Sequence, residues 1–225
     1  METSCTAYAD APMLEARGGH VASTDELTGS QALERAAPTL PLRPGRPERR
    51  EHEYIRHGTR SLIATCNVAT GAILAPAPGP TRAEADFAAH IAQVVDTAPD
   101  APGLFLADNR NTHQSEALVR LVADRCGLAA DRGAKGQSGI PHSQATRAAC
   151  LGDPTHRIPF LSTPTHTAWL NPIARWFSLL VRRVLTRGDF ASTDDLRQRL
   201  PAVIAYFNRT AAPFKWTFKG RPPCH

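Results

Sequence analysis

Asp25 and Asp108 stand where a strand-end site is easiest to build. Asp25 follows the short apolar run His20–Ser23 (HVAS) and leads into Glu26, and Asp108 follows Leu104–Ala107 (LFLA). Ligands of open α/β sheets collect at the carboxyl ends of strands, so two acids so placed can meet in one site. Carboxylates about 4 Å from a shared centre repel each other unless a divalent cation neutralises them. Magnesium held in this way activates water or a hydroxyl for attack on a phosphodiester. Acids also follow strands as helix caps and turn residues, and spacing alone leaves both readings open.

The other constellations are weaker. Nine histidines include His113, His142, His156 and His166, yet none pairs at a metal-ligand spacing on a helix. Gly133, Gly136 and Gly139 lack the Lys-Ser/Thr ending of a phosphate-binding loop, and no G-x-S-x-G elbow exists. Trp169, Trp176 and Trp216 suit either base stacking or a core; the first two fall on a helical apolar stripe.

The elements that must position the acids follow from pattern and caps. Residues 1–19 show no clear period and are expected to be a poorly ordered lead-in. Pro38, Pro41, Pro44 and Pro47 exclude a helix, so residues 38–60, with Arg49, Arg50, Arg56 and Arg60, read as an extended loop over a surface. Ser61–Cys66 and Ala72–Ala75 flank Thr70–Gly71 as a hairpin. A capping box of Thr81 and Glu84 opens a helix with Phe87, Ile91, Val94 and Val95 on one face. Ser115 opens a second, with Leu118, Leu121 and Val122. Residues 131–150 read as a Gly-rich loop and Ile158–Leu161 as a short strand. A long helix spans Trp169 to about Arg187, and Ser192 with Asp195 caps a last helix that Pro201 should kink or shift. Strand, hairpin, helix, strand, helix, strand and two helices predict a single α/β domain with a mixed sheet.

Composition bounds the partners. The 225 residues suffice for one sizeable core, and 42% hydrophobic with 21% charged residues excludes a disordered chain. No apolar run approaches the roughly 18–20 residues of a membrane helix, and no signal peptide opens the chain. Cys5, Cys66, Cys126, Cys150 and Cys224 are scattered without a CxxC pair, which points to a reducing, cytoplasmic compartment. Net charge is +5, and 23 of the 26 basic residues are arginine. Arginine forks match phosphate oxygens, although arginine-rich composition also follows from a GC-rich genome.

Several runs together carry a resemblance: STDELTG (23–29), QALER (31–35), EYIRHGTRSL (53–62), NVATG (67–71) and GPTRAEADF (79–87). ADNRNTHQSE (107–116), Trp169–Asn171 with Trp176–Leu180, and FKWTFKGRP (214–222) complete it. The chain resembles, from about residue 18 to 223, the catalytic domain of bacterial insertion-sequence transposases of the mariner-like superfamily. These are DDE enzymes with an RNase H-like mixed sheet flanked by helices. The resemblance implies an RNase H-like domain over residues 20–223 that cleaves and transfers DNA strands with Mg²⁺ or Mn²⁺. It also implies DNA as partner, homodimers on DNA, no membrane, and a nucleoid-associated place in the bacterial cytoplasm. Asp25 and Asp108 would be the first two metal-binding acids, on adjacent central strands, with Asn109 and His113 ordering the site.

The third acid of such enzymes is a glutamate on the long helix, and Ala174 stands at its position. No Asp or Glu occurs from Pro154 to Gly188. Pro172 and Arg175 flank the lost acid, and Thr165 replaces a usual lysine. Only 24 residues precede Asp25, where relatives carry helix-turn-helix domains, so that end-reading module is expected to be absent. A degenerate, truncated transposase domain is the expectation. Its alternative is a catalytically inactive nucleic-acid-binding remnant.

Overall fold

A five-stranded mixed sheet runs through the molecule in the order β3-β2-β1-β4-β5. The computed structural model describes residues 2–128, 133–163 and 171–214. Strands β1 (His20–Arg35), β2 (Tyr54–Asn67) and β3 (Ile73–Gly79) form an antiparallel meander, and β4 (Gly103–Ala107) and β5 (Phe160–Ser162) add in parallel beside β1. Gly71, at φ 75°, turns the chain between β2 and β3 and donates its N–H to the Asn67 carbonyl. Among the described residues no helix is long and apolar enough to cross a membrane.

Period-two alternation sends side chains of each strand to two different cores. On one face Ala22, Ile63, Phe105 and Phe160 meet Phe87, Ile91, Val94 and Val95 of α2 (Glu84–Asp96) and Leu118, Val119 and Val122 of α3 (Glu116–Cys126). On the other, Leu62, Ala64 and Cys66 meet Ile173, Trp176, Phe177 and Leu180 of α5 (Pro172–Leu180) and Leu196, Leu200 and Ile204 of α6 (Thr193–Asn208). That makes a sheet with helices on both faces, the mixed α/β architecture expected from the element order.

Caps fix the helix starts. Ser115 Oγ accepts from the Leu118 N–H at 3.3 Å, and Ser192 Oγ accepts from the Asp195 N–H at 3.0 Å. For α2 the reciprocal partner of Thr81 is Asp86 rather than Glu84: the Asp86 carboxylate accepts from the Thr81 hydroxyl at 2.6 Å and the Ala83 N–H at 2.8 Å. Helix α6 continues through Pro201.

Four expectations are corrected. The lead-in is a helix, α1 (Glu2–Ala16), whose Ala7, Tyr8 and Ala11 bury against Val21, Val68 and Leu106. Sequence pattern could not show it, because the alanines spread around the whole helix leave no contrast between its buried and exposed faces. The proline-rich segment doubles back instead of crossing a surface: β2 begins at Tyr54, and Leu40 bridges to Arg49 and Arg43 to Arg46. The Gly-rich stretch contains α4 (Gln144–Leu151), capped by Ser143 and anchored by buried Leu151. Within the long-helix segment, the described part is α5 followed by a wider π turn over Val181–Leu185; its expected start at Trp169 lies outside the described residues, as do Thr165 and Trp216.

Candidate active site

Asp25 does not end its strand; β1 continues to Arg35 beside β2. What ends at Ser23 is the pairing with β4, which runs in parallel from His20↔Gly103 to Ser23↔Leu106. Continuing that register brings Asp25 level with Asp108, one residue past β4. The two expected acids therefore lie level with each other just past the point where the β1–β4 pairing stops. Their proximity is felt electrostatically. Burial pushes the Asp25 carboxyl above its ordinary range, the Glu26 N–H at 2.8 Å opposes this, and the Asp108 charge adds to the rise.

Alternation points Asp25 to the same face as Ser23, where α5 lies. Ser23 fastens that helix: its hydroxyl donates to buried Asn171 Oδ1 and accepts from the Ile173 N–H at 3.2 Å. Ala174 sits one residue further along α5. It shares with Asp25, Glu26 and Leu27 an open groove of about 770 Å³, whose other wall carries Arg175, Ser178, Val181 and Arg182. Ala174 thus lines the same groove as Asp25, and no carboxylate reaches it from α5.

Glu26 turns to the opposite face, and pattern reading missed it as a site residue. It is buried, with Oε1 3.3 Å from His113 Nε2 and Oε2 3.4 Å from Arg110 Nη1. His113 is itself buried on a 3₁₀ turn, Asn111–Gln114, and its ring lies 4.3 Å from that of Phe87. Its Nδ1 sits 2.6 Å from Asp108 Oδ1, while Arg110 Nε approaches Asp108 Oδ2 at 2.9 Å. Burial alone would lower the His113 pKa; hydrogen bonds and charge from Asp108 and Glu26 outweigh it and raise the value to about 9. At neutral pH the ring is a cation. Burial would raise Asp108, but His113 and then Arg110 hold it below the usual range, so it stays ionised. The signal that could have found Glu26 is its adjacency to Asp25.

Asn109 plays a different part from His113. Its Oδ1 accepts from Gln114 Nε2, and the buried Arg147 Nε donates to the Gln114 carbonyl at 2.6 Å. Asn109 therefore braces the turn and does not touch the acids through any described bond. Oxygen donors from Asp25, Glu26 and Asp108 suit a hard divalent cation. Among the described residues, Asp25, Glu26 and His113 bring one ligand atom each within 4.8 Å of one another.

Comparison with known proteins follows the same lines. Residues 20–197 match the sequence profile of the DDE superfamily endonuclease family. Among curated proteins no sequence matches the chain. Among solved structures, the fold is similar to the Mos1 mariner paired end complex with Mn, at 13% identity and TM-score 0.51 over 92% of this chain and 56% of that one. It is likewise similar to the Mos1 transposase paired-end complex with left transposon end, at 13% identity and TM-score 0.51 over 91% and 55%. For the Mos1 strand transfer complex the values are 14%, 0.51, 91% and 53%. The likeness shows the RNase H-like fold, and the chain spans a little over half the length of those chains.

Proposed function

Because the chain belongs to the DDE superfamily endonucleases, we propose that it is the catalytic domain of a mariner-like, insertion-sequence transposase. The fold is suited to DNA strand cleavage and transfer, and this copy has a defective acid set. The observation that supports this reading is that Asp25 lies level with Asp108 where the β1–β4 pairing stops, and that Asp25 lines a groove whose other wall offers Ala174, Arg175 and Arg182.

Asp25 and Asp108 fit a Mg²⁺ or Mn²⁺ ion by donor type, and a bound ion would polarise the phosphodiester as a Lewis acid. Asp108 stays ionised at neutral pH because His113 and Arg110 hold it so. Ala174 adds neither charge nor ligand, and this deprives the reaction of transition-state stabilisation that a third carboxylate would secure. Exposed Arg175, Arg182, Arg183 and Arg187 follow one another along α5 and its continuation, on a segment free of acids. Contacts from these arginines to phosphate are independent of base sequence. The reading is therefore a DNA-binding domain with cleavage lost, acting as a homodimer on DNA in the bacterial cytoplasm, close to the nucleoid.

The test pairs binding with cleavage. The purified chain is expected to bind duplex DNA with a steep salt dependence, and Arg175→Gln or Arg182→Gln to reduce the logarithmic salt slope by about 1 each. It is expected not to nick DNA with Mg²⁺, in parallel with an Asp108→Ala control and an Ala174→Glu variant. Magnesium-dependent nicking by the unmodified chain, abolished in Asp108→Ala, would refute the loss of cleavage. Tight binding to one defined sequence at physiological salt would contradict the sequence-independent contact.

A further inference from the structure

Two of the acids at this site already have partners from within the chain. Arg110 and His113 both reach Asp108 and Glu26. Both oxygens of Asp108 are engaged. Oδ1 lies 2.6 Å from His113 Nδ1 and accepts the Arg110 backbone N–H at 3.2 Å, while Oδ2 lies 2.9 Å from Arg110 Nε. The same guanidinium reaches Glu26 Oε2 at 3.4 Å, so one fork spans the two acids.

The two partners of these acids differ in their freedom to leave. The His113 side chain is 1% exposed, packed on Phe87 and held by Glu26. That of Arg110 is 49% exposed, on a long stem whose head can return to water. A divalent cation approaching Asp108 meets the guanidinium as a like charge in a partly buried site. At Ala174 no carboxylate stands on the facing helix to draw the ion in from the other side. We propose that Arg110 is a tethered counter-ion that competes with a divalent metal for Asp108 and Glu26, so that metal enters only when Arg110 swings out. This rests on the proposed metal site, and it makes Arg110 a positioning residue that controls occupancy.

Calorimetric titration of Mn²⁺ into the full chain tests this at fixed ionic strength, in the unmodified protein and in Arg110→Gln, Arg110→Lys and Asp108→Asn. Removing one partly exposed ion-pair partner should tighten Mn²⁺ binding roughly five- to tenfold in Arg110→Gln. Arg110→Lys keeps the charge and should stay within about twofold of the unmodified chain, while Asp108→Asn should abolish binding. Thermal melts of the variants confirm that each is folded. Unchanged or weaker binding in Arg110→Gln, with binding still abolished in Asp108→Asn, overturns the counter-ion and leaves the metal site standing. Binding that survives Asp108→Asn, or no Mn²⁺ binding by folded Arg110→Gln, overturns both.

Discussion

Replacing Ser23 by alanine removes one oxygen and should loosen α5 from the sheet. Ser23 is fully buried, and its hydroxyl makes two contacts to the helix start, donating to Asn171 Oδ1 and accepting from the Ile173 N–H. Loss of the Ser23 bond to the Ile173 N–H costs about 1 kcal/mol, the scale of a lost N-cap. The change also strands Asn171 Oδ1 in a buried site where Asn171 Nδ2 already has no described partner, a further ~1–3 kcal/mol. The sum is about 2–4 kcal/mol, which for a domain of this size lowers the melting temperature by about 4–16 °C. Ser192→Ala supplies the internal standard, because Ser192 caps α6 through the Asp195 N–H in a partly exposed setting and should cost only about 1 kcal/mol. Melting curves of both variants decide the matter, with hydrogen exchange at Ile173 and Ala174 reporting local loosening. A Ser23→Ala shift no larger than that of Ser192→Ala would show that the hydroxyl does not pin the helix that faces Asp25.

Stability should fall on the acid side because of His90, a fully buried ring with Nε2 2.7 Å from Thr65 Oγ1. Burial lowers its pKa from 6.5 to about 4, against the opposing Ala75 backbone. The unfolded chain thus binds the proton first, and stability present above pH 6.5 is lost as pH falls toward 4, by about 3 kcal/mol. Urea midpoints from pH 7.5 to 4.5 should show this loss, and His90→Gln should remove it; parallel pH profiles for the two chains would refute it. His113 has the opposite sign: raised to about 9, it supports the metal-free fold below pH 6.5 and loses that support as pH rises through 9. Gly71→Ala should cost more than 2 kcal/mol, since φ is 75° and an added Cβ would lie 2.1 Å from the Ala212 carbonyl oxygen. A melting temperature within about 2 °C of the parent would show that the tail at Ala212 yields.

Local chemistry was legible in the residues themselves. Ser115 and Ser192 mark helix starts because a hydroxyl satisfies an orphan backbone N–H wherever the helix goes. The apolar runs at Leu104–Ala107 and Ser61–Cys66 form strands, and the stripe through Ile173, Trp176, Phe177 and Leu180 forms a buried helix face, because period and burial are coupled within one element. The helix α1 and the doubled-back proline segment escaped because neither carries a periodic apolar face. Tertiary structure alone decided which distant groups meet. Ser23 finds Asn171 across 148 positions, and Glu26 reaches His113 and Arg110 only once β1 and β4 lie side by side. A lone sequence assigns residue types to strands and helices through interactions a few residues long. The meeting of Glu26 with His113 and Arg110 depends on burial and on distances between elements, and those exist only after the sheet has assembled.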